Sequence, residues 1–112
     1  MFGKSQYIIE TQQELNSICK MIEEWRKDHN LNLVKSSEGF KKFRFGSPFL
    51  SNPIYIEIDI SKSPIIVHGW VQTLIPFFTW KLIETKNDNL ASKLDYRRKG
   101  GYFCHQLIDT IT

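Results

Sequence analysis

Ile54-Tyr55-Ile56-Glu57-Ile58-Asp59-Ile60-Ser61 alternates apolar and polar side chains without a break, the pattern of a strand with one face in a core and the other in water. If Ser61 to Pro64 forms the loop that follows, Ile60 faces Ile65, Ile58 faces Val67, Ile56 faces Gly69 and Ile54 faces Val71. Every inward pair is then apolar or glycine, while Glu57 lies across from His68 and Tyr55 across from Trp70 on the outer face. Working backwards over a loop from Gly46 to Pro53, Phe45 faces Ile54 and Phe43 faces Ile56, which sets Lys42 opposite Glu57 and Arg44 opposite Tyr55. A three-residue loop, Ser37-Glu38-Gly39, with Gly39 free to take positive φ, aligns Leu33 with Phe43 and Leu31 with Phe45. A slip of one residue would turn a whole strand inside out, so agreement of these segments on one apolar face predicts an antiparallel meander.

Outside the meander the period changes. Tyr7 to Glu10 is a short β-prone run, predicted to pair with the meander edge at Ile65 to Val71. Thr11 and Glu14 then make a Thr-x-x-Glu capping pattern, where the first helix is predicted to start. Leu15, Ile18, Cys19, Ile22 and Trp25 form its apolar stripe, and it ends near Asn30. Beyond Val71, Leu74 to Trp80 is an apolar segment broken by Pro76, and Lys81 to Thr85 is a candidate strand. Asn87 or Asp88 caps a short helix with Leu90 and Leu94 inward, closed by Arg97, Arg98 and Lys99 and by Gly100-Gly101 at its C-terminal cap. A last helix buries Phe103, Cys104, Leu107, Ile108 and Ile111. The expected fold is α+β: a two-layer sandwich in which an antiparallel meander sheet of about five strands carries an N-terminal and a C-terminal helix on one face.

A length of 112 residues with 41% apolar and 13% aromatic content supplies one core, over residues 1–112, and excludes a disordered or fibrous chain. Net charge is only +3, which permits phosphate contact without implying it. Cys19 and Cys104 fall among apolar residues at helical spacing, as reduced core thiols do. Met1 to Gln6 leads into no apolar leader-like run, so a cytoplasmic location is expected. Ser63 to Trp80 is an 18-residue stretch without charge, but its prolines, His68, Gly69 and Gln72 and its strand pattern argue against a membrane span. Eleven lysines to four arginines, with fourteen isoleucines, point to a low-GC genome, bacterial or phage.

No catalytic or cofactor signature stands out, and no catalytic residue, metal or cofactor is assigned. The sheet face away from the helices is expected to show Asn32, Val34, Lys42, Arg44, Tyr55, Glu57, Asp59, Ile66, His68 and Trp70. Interfaces concentrate aromatic and arginine anchors, so Arg44, Tyr55, Trp70, Phe77 and Phe78 are the expected contacts of a protein partner. The expected function is a small non-catalytic protein-binding module, an inhibitor or regulator. The alternative is a nucleic-acid binder in which bases stack on Tyr55 and Trp70 while Lys42, Arg44 and the cluster Arg97, Arg98 and Lys99 meet phosphates. That cluster, followed by two glycines, also reads as an anion site, or simply as the cationic end of a helix.

Glu57 and His68 resemble half of an acid–base pair but lack a neighbouring nucleophile, and a cross-strand ion pair with Lys42 is the simpler reading. Glu57 and Asp59 have no third ligand for a cation. Cys19, His29, His68, Cys104 and His105 are zinc-ligand types without zinc-site spacing, and helical geometry turns His105 away from the stripe of Cys104. A free sheet edge permits a homo-oligomer but does not require one.

Overall fold

The computed structural model describes residues 3–46, 52–73, 78–83 and 96–112. In chain order these form β1 (Ser5–Ile9), α1 (Leu15–Asp28), β2 (Asn32–Ser37), β3 (Phe40–Phe45), β4 (Ile54–Asp59), β5 (Ile65–Gln72), β6 (Thr79–Lys81) and α2 (Tyr96–Ile111). The sheet runs β1-β5-β4-β3-β2, antiparallel throughout, and one core joins its inward side chains to the buried stripes of both helices. This is the α+β sandwich that the alternation predicts.

The central register is the predicted one. Ile54 pairs with Val71, Ile56 with Gly69 and Ile58 with Val67, while Phe43 pairs with Ile56 and Phe45 with Ile54. β1 pairs with β5 over Ile65 to Gly69, on the predicted edge. The short β6 continues that edge over Trp70 to Gln72, where the sequence pointed to a strand at Lys81 to Thr85. The two are tied end to end: the Gly3 N–H donates to the Thr79 carbonyl at 2.9 Å, and the Leu82 N–H to the Ser5 hydroxyl at 2.9 Å.

The β2–β3 connection differs from expectation in two compensating ways. The turn is the pair Glu38-Gly39, so Ser37 faces Phe40, and the residue this frees is absorbed as a bulge at Val34. Leu33 therefore still meets Phe43, but Lys35, not Val34, lies opposite Lys42. Gly39 is required here: its φ is +80°, and a Cβ would stand 2.7 Å from that of Ser61.

α1 starts without the predicted capping box. Thr11 turns its hydroxyl to accept the Gln13 N–H at 3.1 Å and to donate to the Ile111 carbonyl at 3.2 Å, satisfying a carbonyl at the end of α2. The closing end is as expected, with Asn30 at φ 57° and the Leu31 N–H returning to the Arg26 carbonyl at 2.8 Å. The buried Trp25 indole donates to the Phe103 carbonyl at 2.9 Å and locks the helices together.

Gly100-Gly101 is not a helix cap. Both glycines lie inside α2, which runs unbroken from Tyr96. The reason is packing: Leu82 wedges between sheet and helix, and a Cβ would fall 2.6 Å from it at Gly69 and 2.5 Å at Gly100. His105 is likewise buried, edge-on to Tyr7 with ring centroids 6.4 Å apart, rather than turned to solvent. The expected short helix from Asn87 or Asp88, with Leu90 and Leu94 inward, lies outside the described residues. No described helix is long and apolar enough to cross a membrane.

Candidate partner-binding surface

The outer sheet face is built by parity, since the residues that lie between the inward isoleucines along β4, together with their own cross-strand partners, point away from the helices. Tyr55 and Trp70 stack there with centroids 5.6 Å apart and planes at 22°. Lys4 covers the Trp70 ring at 4.0 Å, and Lys42 lies 4.9 Å from the Tyr55 centroid. Glu57 sits between these cations, with 3.9 Å to Lys4 and 3.9 Å to Lys42. The Trp70 indole donates to Gln72 at 3.3 Å. Trp70 was expected to be an exposed anchor, yet only 3% of it is accessible, because its own face is roofed by these side chains.

Lys4 was missed by sequence reading. Its position follows only once the β1 register is known, with Ser5 opposite Gly69. The expected Lys42–Glu57 pair is present, and Glu57 and His68 are opposed across the strands. With two lysines on Glu57, the arrangement is an ion-pair network. Next to it, the Ser61 hydroxyl, at 2.6 Å, and its N–H hold the Asp59 carboxyl below its ordinary value.

The other expected contacts do not converge. The Arg44 guanidinium folds back on the Gly46 carbonyl at 3.1 Å. Phe78 is 49% exposed, while Phe77 lies outside the described residues. Arg97 donates to the Lys81 carbonyl at 2.8 Å and stacks on Trp80, whereas Lys99 lies 4.7 Å from the Phe45 centroid and Arg98 is exposed. These three cations thus face different surroundings along the first turn of α2.

The free cysteines are Cys19, half-buried, and Cys104, fully enclosed, whose thiol burial pushes strongly toward the protonated form. Among the described residues no three His, Cys, Asp or Glu side chains gather to hold a metal ion.

A different region offers itself instead. All six residues of β2 are exposed, including Leu33 and Val34 at 44% each. Among the described residues β2 packs extensively against β3, and neither described helix packs extensively on it. Between the start of α1 and the β2–β3 turn opens a cleft of about 590 Å³, with Leu15, Cys19 and Ile60 as its apolar lining and Lys41 and Glu38 among its polar residues. Lys41 donates to the Ser36 hydroxyl at 3.3 Å. Sequence reading assigned Leu33 to the core because alternation reports which face a side chain takes, not whether anything covers that face. No family model matches this chain, and neither does any curated protein or solved structure.

Proposed function

We propose that this chain is a small non-catalytic protein-binding module, a cytoplasmic regulator or inhibitor, that docks its partner on the β2 edge and the adjoining cleft. The observation that carries this reading is β2 itself: six exposed residues, two of them large and apolar, paired on one side only among the described strands. A strand edge presents a row of backbone donors and acceptors that another chain can complete. The cleft beside it has the lining that an apolar side chain of such a partner would seek. Nucleic-acid binding through Lys42, Arg44, Tyr55 and Trp70 is served less well, because stacking needs open ring faces and Trp70 is roofed by Lys4 and Tyr55.

A photo-crosslinking side chain at Leu33, compared with one at Ile8 on the opposite edge, tests the reading in nuclease-treated lysate. A discrete protein adduct from position 33 and none from position 8 is the expected result. Equal adducts from both positions, or adducts that vanish with nuclease, would refute it.

A further inference from the structure

We propose that the partner segment is a short, acidic, extended peptide, which pairs along β2 with an apolar side chain in the cleft and carboxylates against Lys35 and Lys41. This rests on the protein-binding reading and adds the chemistry of the partner. The hairpin from Asn32 to Gly46 holds four cations, Lys35, Lys41, Lys42 and Arg44, against Glu38 alone. Its net charge of +3 equals that of the whole chain, so the remainder balances at eleven cations and eleven carboxylates. Lys35 is the cation on β2 itself, while Lys41, Lys42 and Arg44 lie on the neighbouring β3, where Lys42 already shares Glu57.

Within the hairpin the bulge at Val34 brings Lys35 directly opposite Lys42, an unfavourable like-charge pair. Lys42 shares Glu57 with Lys4, and among the described residues no carboxylate pairs with Lys35. An acidic side chain arriving beside β2 would relieve that repulsion. Lys41, on the opposite sheet face, stands at the cleft and would meet a second carboxylate there. The partner thus needs acids on both faces of a strand and an apolar residue directed at Leu15, Cys19 and Ile60.

The same features select against a second copy of this chain. Two such edges brought together would oppose +3 to +3, and the bulge interrupts the flat run that indefinite edge pairing requires. A short segment can pair beside the bulge without crossing it.

The test is selection from a random decapeptide library on the immobilised chain, counter-selected against Lys35→Glu/Lys41→Glu. Lys35→Gln/Lys41→Gln serves as the neutral variant, and circular dichroism checks that both fold. Selected peptides are expected to be rich in Asp and Glu around an apolar residue. They should lose at least about ten-fold in affinity on the charge-reversed variant and bind more weakly when alternate backbone amides are N-methylated. Enrichment of neutral or basic peptides that still shift the Leu33 amide resonance would overturn the acidic chemistry while leaving the protein-binding reading intact. Absence of any enriched peptide on the native chain, with or without the counter-selection and whether or not single-stranded deca-thymidylate binds, would overturn both.

Discussion

β4 and β2 are six-residue strands of one sheet, two positions apart, and they meet opposite fates. β4 buries Ile54, Ile56 and Ile58 completely, whereas β2 buries none of its residues. Both carry apolar side chains that share the inward parity, Leu33 through its pairing with Phe43. What separates them is cover: β4 has strands on both sides and α2 above it, while among the described residues β2 has one strand neighbour and no extensive helix contact. Burial in a sheet is thus a property of the neighbours as much as of the pattern. An apolar residue left uncovered at an edge is the feature that invites a partner.

The sharpest way to break this contrast is truncation on each strand. Ile56→Ala or Ile58→Ala should cost about 2–5 kcal/mol of stability in urea titration, since each leaves a cavity under α2. Leu33→Ala should cost less than about 0.5 kcal/mol and should be felt in partner capture instead. A large loss at Leu33 would mean that β2 is covered after all.

The covered side can be probed where α2 meets the sheet. Gly100→Ala crowds Leu82 and approaches Ile54 at 3.1 Å, an overpacking cost of about 1–3 kcal/mol offset by about 1 kcal/mol of helix propensity. The variant should therefore be mildly destabilised. In a Leu82→Ala background, with the wedge gone, the same change should become neutral or stabilising, as a double-mutant cycle would show. Strict additivity would contradict the wedge.

On the open side, Lys35→Glu replaces a like-charge pair by an attractive one. It should raise stability by about 0.2–1 kcal/mol while weakening acidic-peptide binding. Opposite signs in the two measurements are the signature of a charge kept for a partner rather than for folding.

The smallest expected effect is in acid. A hydrogen bond from Arg26, and then its charge, holds the Glu23 carboxyl below its ordinary 4.5. A lowered folded-state value means that its contribution is fully present above 4.5 and is lost as pH falls through the lowered value. Glu23→Gln should flatten the acid limb of the stability profile slightly, and an unchanged limb would dismiss the pair as a contributor.

Much of this fold was legible in the sequence because β3, β4 and β5 are constrained on two sides. The isoleucine ladder, Phe43 and Val67 could agree in only one register. Where a single neighbour constrains the chain, local chemistry misled. Thr11 satisfies a distant carbonyl instead of capping its own helix, and Gly100 answers to Leu82 rather than to a helix end. The expected partner anchors meet a related constraint. Arg44, Tyr55 and Trp70 were correctly assigned to one face, but Lys4 and the cross-strand stack had already occupied Trp70. The open edge was visible only as parity, since no sequence pattern states that a helix stops short.

Amide hydrogen exchange on the free chain, and on the chain with a selected acidic decapeptide, tests the openness of β2 and its use together. The β2 amides directed away from β3 should exchange far faster than those of β4 in the free chain and become protected when the peptide binds, with β4 unchanged. Slow exchange along all of β2 in the free chain, or protection that appears on the Tyr55–Trp70 face instead, would contradict the account.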